Sequence, residues 1–131
     1  MDIQIPKTSK KRVVIVGGGF GGVELVNKID GNRFQVVLID KYNYHQFQPL
    51  LYQVASSGLE SESISFPYRK IFVGKKNFFF RLAEVKSIDT EESRIETSIG
   101  DLDYDYLVIA TGTTTNFFGN EVIQKQALPM K

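Results

Sequence analysis

Cysteine and tryptophan are both absent from this chain of 131 residues. Without cysteine these residues hold no disulfide, no thiolate metal site and no cysteine nucleophile. Histidine occurs once, at His45, and no spacing of acids reads as a metal-ligand set or a catalytic carboxylate pair. Long apolar runs are missing too, each falling well short of the roughly 18 residues a membrane-spanning helix needs. The start, Met1-Asp2-Ile3-Gln4, lacks the basic region and apolar run of a signal peptide. The expectation is a soluble, cytoplasmic chain. Nor does one sign of charge dominate: 16 basic residues face 15 acidic ones, for a net charge of +1. Lys10-Lys11-Arg12 and Lys75-Lys76 are too sparse to argue for nucleic acid as a partner.

What is present is a patterned single domain, with no internal repeat. Residues 1–11 are polar, carry Pro6 and lack periodicity, which predicts a flexible tail ahead of a domain over 12–131. Residues 12–16 form a β-branched run of the kind parallel sheets bury on both faces. Phe20, Val23, Val26 and Ile29 then recur at helical spacing, with Leu25 beside them. Asp30-Gly31-Asn32 is expected to end that helix in a left-handed turn. Residues 35–39 read as a second buried strand, completing a βαβ unit within about thirty residues. Residues 41–66 show no clean periodicity and are rich in aromatics around Pro49-Leu50-Leu51. A stretch of that length without strong elements is more often functional than decorative. Tyr42, Tyr44, Phe47 and Tyr52 could line a pocket or pack under a loop, and their residue types do not decide between the two. Pro67 suits the start of a short helix through Phe72. Residues 78–81 read as a strand, and 83–89, 94–98 and 101–104 as a β-meander. Residues 106–110 form a third fully apolar strand, followed by Thr111-Gly112 and a loop rich in Thr and Asn.

The glycine-rich loop carries the chemistry. Gly17, Gly19 and Gly22 fit the spacing G-x-G-x-x-G between a strand and a helix, and Asp40 ends the next strand. One glycine permits the tight turn, one lets backbone approach a pyrophosphate, and one lets helix pack close to strand. The helix N-terminus supplies free N–H groups and partial positive charge. Asp40 would accept hydrogen bonds from the ribose hydroxyls of an adenosine half, and it would repel a 2′-phosphate. Ala110, Thr111 and Gly112 form a turn of small residues at the carboxyl end of a strand, where α/β sheets bind ligands.

The pairing of residues 17–22 with residues 104–112 resembles the FAD domain of two-dinucleotide-binding flavoproteins. More narrowly, Asn43-Tyr44-His45-Gln46-Phe47-Gln48-Pro49-Leu50-Leu51-Tyr52-Gln53-Val54-Ala55 resembles the corresponding stretch of type II NADH dehydrogenases. These are single-subunit, non-proton-pumping NADH:quinone oxidoreductases. The resemblance implies a Rossmann-like α/β fold: a central parallel sheet with an inserted antiparallel meander. It implies FAD as cofactor, NADH as substrate of the parent enzyme and a membrane quinone as electron acceptor. It implies a respiratory enzyme peripheral on the cytoplasmic face of the inner membrane, and it is compatible with a homodimer. By the same resemblance, Gly17, Gly19, Phe20, Gly21 and Gly22 surround the FAD pyrophosphate. Asp40 binds the adenosine ribose with Lys41 beside it, and Gln48, Pro49 and Leu50 approach the flavin ring. Val85 meets the adenine edge, while Ala110, Thr111 and Gly112 lie near the phosphates and ribityl chain. No residue is assigned a catalytic role. His45 reads as a loop histidine, because flavin hydride chemistry needs no protein general base.

The family pattern continues with a second glycine-rich loop for NADH, a later Gly-Asp motif and a membrane-associating region, none of which occurs in residues 1–131. The expectation is an N-terminal portion of a larger enzyme, inactive by itself. Disulfide reductases of the same superfamily often carry a cysteine pair where this chain has 42–52 and no cysteine. A sulfide:quinone oxidoreductase and a catalytically silent nucleotide-binding module remain as alternatives.

Overall fold

The computed structural model describes residues 3–130. Met1, Asp2 and Lys131, at the two ends of the predicted tail and domain, lie outside the described residues. Regular structure begins with β1 (Lys11–Val16), α1 (Phe20–Lys28) and β2 (Phe34–Asp40). The aromatic stretch then contributes β3 (Tyr44–Gln46), α2 (Leu51–Ala55), β4 (Ser65–Pro67) and α3 (Tyr68–Ile71). After β5 (Phe78–Leu82) come β6 (Val85–Asp89), β7 (Arg94–Thr97), β8 (Gly100–Asp103), β9 (Tyr106–Ile109) and α4 (Glu121–Gln126).

The central sheet is wholly parallel, in the order β5-β2-β1-β9. Residues 13–16 of β1 and 36–39 of β2 are apolar at every position because both faces are covered there. Val14, Val16, Val37 and Ile39 point to one side, where Ile95 and Leu102 of the antiparallel meander β6-β7-β8 pack on them. Val13, Ile15, Val36 and Leu38 point to the other, under Val26 of α1 and Tyr68 and Phe72 of the α3 region. The chain steps outward from β1 to β2 on one side and to β9 on the other. The carboxyl ends of β1 and β9 therefore open a crevice at the point where strand order reverses.

Four expectations need correction. Residues 3–10 are not a loose tail, for Ile3 and Ile5 are buried in the meander-side core. Arg81 Nε donates to the Ile3 carbonyl at 2.9 Å, and Gln35 Nε2 donates to the Pro6 carbonyl at 2.8 Å. Two buried side chains are too few to show a period. Ile3→Val is accordingly expected to cost about 1 kcal/mol in urea unfolding; no change would mean that the segment does not pack.

The second correction concerns the end of α1. The backbone leaves the helix extended at Ile29, with φ −68° and ψ 132°, and not through a left-handed Gly31. The Asp30 carboxylate instead accepts from the Asn32 N–H at 2.8 Å. Gly31 is small for another reason: a Cβ there would sit 2.0 Å from the Lys76 carbonyl oxygen.

Third, the stretch 41–66 is not without sheet. Its strand β3 pairs antiparallel with β4, His45 opposite Phe66. Strands of three residues are too short for alternation to be visible. Fourth, β9 is an edge strand among the described residues, so Tyr106 and Ile109 are 54% and 64% exposed in spite of an apolar sequence.

Asp105 ties the start of β9 to β1. Its carboxylate accepts from Lys11 Nζ and from the Arg12 N–H, each at 2.7 Å. The Lys11 contact first, then the Arg12 amide, lowers its pKa below the ordinary aspartate value. A carboxylate with a depressed folded pKa stabilises fully above its unfolded value and loses that contribution as pH falls through the folded one. The stability gap between the native chain and Asp105→Asn should therefore be constant near neutral pH and close below about pH 3.9. Urea unfolding across that range checks it, and a gap that widens with acid would contradict it.

Candidate functional site

Three chain segments meet at the carboxyl end of the parallel sheet. From β1 comes the glycine loop, from β2 comes Asp40, and from β9 comes the turn Ala110-Thr111-Gly112. Gly17 has φ +100°, and a Cβ on it would lie 2.4 Å from the Ala110 carbonyl oxygen. Its N–H donates to the Ile39 carbonyl at 2.8 Å, while Ala110 N–H donates to Val16 at 2.8 Å. These contacts fasten the three strand ends together. At Gly22 a Cβ would fall 2.0 Å from the Gly17 carbonyl oxygen, so α1 approaches the loop more closely than any side chain allows.

Gly19 and Gly21 differ in having nothing within 4 Å of an added Cβ. The first intrahelical bond runs from Val23 N–H to the Gly19 carbonyl. The N–H groups of Phe20, Gly21 and Gly22 therefore open the helix without an intrahelical acceptor, facing space that backbone borders directly. That is the arrangement a pyrophosphate needs.

A cavity of about 570 Å³ lies beside this loop. Its wall is formed by Val16, Gly17, Ile39, Asp40, Lys41, Ala83, Glu84, Val85 and residues Thr111, Gly112, Thr113 and Thr114. This volume falls within the range of small-molecule and cofactor sites, and the wall combines apolar and glycine positions with the charged groups of Asp40, Lys41 and Glu84 and three threonines. The chain reaches β6 through Ala83, whose N–H donates to the Asp40 carbonyl at 2.9 Å, so the meander closes one side of the wall.

Asp40 is the best-connected acid here. Oδ2 accepts from the Gly18 N–H at 2.6 Å and from the Tyr68 hydroxyl at 3.1 Å; Oδ1 accepts from the Tyr42 N–H at 2.8 Å. An ionised carboxylate offers about four acceptor positions, which leaves Oδ1 open to one further donor from the cavity. Lys41 Nζ lies 5.2 Å from the centroid of the Tyr42 ring.

Of the residues singled out from sequence, the structure brings Gly17, Asp40, Lys41, Val85, Thr111 and Gly112 onto one cavity wall, with Ala110 behind Gly17. Gly19, Gly21 and Gly22 stand at the start of α1. Phe20 points away toward the aromatic stretch, its ring edge-on to His45 at 5.1 Å and to Phe47 at 5.4 Å. Gln48, Pro49 and Leu50 form a 3₁₀ turn outside the cavity wall. His45 is buried, and its Nδ1 lies 2.9 Å from the Gly18 carbonyl oxygen. Since a carbonyl only accepts, Nδ1 carries the proton.

Sequence reasoning overlooked Glu84, Thr113, Thr114 and Tyr68. The threonines continue a run already flagged at Thr111, so their signal was available. Tyr68 has none, being an aromatic beside a proline that only the β3–β4 pairing brings under the glycine loop. Among the described residues no helix is long and apolar enough to cross a membrane, and no cluster of His, Cys, Asp and Glu could hold a metal ion.

Residues 11–127 match the profile of the pyridine nucleotide-disulphide oxidoreductase family. The chain is 36% identical over 126 residues to the type II NADH:quinone oxidoreductase NdhA of Mycobacterium tuberculosis, covering 93% of this chain and 27% of the relative. The fold is similar to the NDH2 structure from Plasmodium falciparum in complex with NADH, with TM-score 0.82 and 28% identity, covering 88% of this chain and 25% of that one. It is also similar to the sulfide:quinone oxidoreductase of Aquifex aeolicus, with TM-score 0.70 and 33% identity over 82% of this chain and 25% of that one. The chain thus spans about a quarter of the length of the proteins it matches.

Proposed function

The chain belongs to the pyridine nucleotide-disulphide oxidoreductase family, and on that premise we propose that it is the FAD-binding part of a type II NADH:quinone oxidoreductase. One observation carries the reading. The cavity at the strand-order reversal is lined by Gly17 of the glycine loop, the acid Asp40 and Thr111 and Gly112 of the small-residue turn, with the start of α1 beside it. In this reading the N–H groups opening α1 hold the pyrophosphate, Oδ1 of Asp40 accepts a ribose hydroxyl, and Val85 borders the adenine. Gly112 and the threonines beside it leave room for the ribityl chain to lie against backbone. Gln48, Pro49 and Leu50 are placed toward the flavin ring by family resemblance.

FAD, when bound, supplies the chemistry, taking a hydride from NADH and passing electrons to a membrane quinone. The chain's own residues bind, orient and exclude water; none serves as general acid or base. Disulphide chemistry has no place in these residues, which lack cysteine. They hold one glycine-rich loop of this type, so one dinucleotide site. Turnover is assigned to the whole protein, lying peripherally on the cytoplasmic face of the membrane, and residues 1–131 alone are expected to bind FAD without oxidising NADH.

The likeness to the Aquifex aeolicus structure supports a second reading, in which sulfide is the electron donor. Steady-state assays of the whole protein with a soluble quinone separate the two. Quinone reduction driven by NADH and not by sulfide is expected, and the reverse would overturn the assignment.

A further inference from the structure

The Gly18 peptide is held at both ends by side chains from outside the glycine loop. Its N–H donates to Asp40 Oδ2 at 2.6 Å. Its carbonyl accepts from the Tyr68 hydroxyl at 2.8 Å and from His45 Nδ1–H at 2.9 Å. Tyr68 is fully buried, with its ring stacked on Phe72 at 6.5 Å and tilted against Phe80 at 4.9 Å, so its hydroxyl has little freedom. Contact with the loop is so close that a Cβ on Gly18 would lie 2.1 Å from that hydroxyl. His45 comes from β3, and Tyr68 directly follows β4. The small antiparallel pair therefore delivers both donors to one carbonyl, which gives the aromatic stretch a job that its composition did not reveal.

We propose that Tyr68, together with His45, is a positioning residue that sets the pyrophosphate loop before the cofactor arrives. The proposal rests on the reading of this site as an FAD site. A carbonyl oxygen turned toward a pyrophosphate would repel it. Two buried donors turn the Gly18 carbonyl inward, so it does not stand among the N–H donors that open α1. An arrangement already made in the free protein need not be made at the expense of binding. Burial first, and then the Asp40 charge, raises the Tyr68 pKa and keeps the hydroxyl protonated as a donor. Tyr68 also fills the second acceptor position of Asp40 Oδ2, which directs the ribose contact to Oδ1.

Tyr68→Phe removes one hydroxyl and keeps the packed ring. Calorimetric titration of the full chain with FAD, ADP and adenosine is the test, because only the first two carry the pyrophosphate. Affinity for FAD and ADP should fall about tenfold, with adenosine unchanged. Asp40 keeps its Gly18 and Tyr42 donors in that variant. Equal losses for all three ligands would assign Tyr68 a merely structural role, and unchanged ADP affinity would overturn the proposal outright. Native protein that binds neither FAD nor ADP would overturn the FAD reading as well, and that failure is seen without any variant. A second measurement does not depend on how the variant folds. In the native protein without ligand, the Gly18 amide should already be protected from hydrogen exchange, and ADP should not increase that protection. A fast-exchanging Gly18 amide that becomes protected only on binding would contradict a loop set in advance.

Discussion

Gly17→Ala is expected to destabilise the fold by about 2–5 kcal/mol and to abolish measurable FAD binding. Two costs combine. At φ +100° an alanine is strained, by about 1–2 kcal/mol per residue held in left-handed backbone. Its methyl group would also lie 2.4 Å from the Ala110 carbonyl oxygen, where backbone must give way; forced overpacking of this kind costs about 1–3 kcal/mol. The strand ends cannot relax separately, since Ala110 N–H is bonded to Val16 and Gly17 N–H to Ile39. A lower urea midpoint at unchanged slope, together with lost FAD binding, is the expected result. Gly19→Ala is the control, since its Cβ meets nothing within 4 Å. Stability should change by less than about 1 kcal/mol, as for a modest helix cap, while FAD binding weakens because the methyl group occupies the pyrophosphate's space. Parallel losses of stability in the two variants would show that the loop is a packing feature and nothing more.

Asp40→Ala should have the next largest effect. It removes the acceptor of two backbone N–H groups, those of Gly18 and Tyr42, and of one of the two contacts of the Tyr68 hydroxyl. It also removes the one carboxylate position left for a ribose hydroxyl. A hydrogen bond to a charged group is worth about 1.5–3 kcal/mol, so FAD affinity should fall about 10- to 100-fold, with a measurable loss of stability. Asp40→Asn, which can keep the acceptor toward Tyr42 and the ribose, should retain part of both. Unaltered FAD affinity in Asp40→Ala would remove the ribose contact from the account.

The parts of the fold that were legible share a physical cause. Residues 13–16 and 36–39 are apolar without interruption because a helical layer covers one face of the sheet and the meander the other. A run of that kind announces a buried parallel strand. Asp40 could be read because it ends such a run. The meander was visible through its turn residues, with limits shifted by one or two positions. What escaped notice was short or non-local. The strands at Tyr44–Gln46 and Ser65–Pro67 have three residues each, Ile3 and Ile5 pack without a period, and Tyr68 reaches Gly18 only through the β3–β4 pairing. β9 reads as a buried strand because its residues are apolar, although at the sheet edge half of them face outward. The candidate site divides in the same way. Strand ends and glycines are readable, whereas the side chains that brace them from behind come from distant segments whose composition says only that they are aromatic.

The central claim is that this crevice holds FAD by its ADP half. Calorimetric titration of the full chain with FAD, NADH and FMN tests it most directly, because FMN carries the flavin without the adenosine and pyrophosphate. FAD is predicted to bind with one-to-one stoichiometry and more tightly than NADH, with FMN showing no saturable binding. FMN binding as well as FAD, or NADH binding in preference to it, would contradict the account.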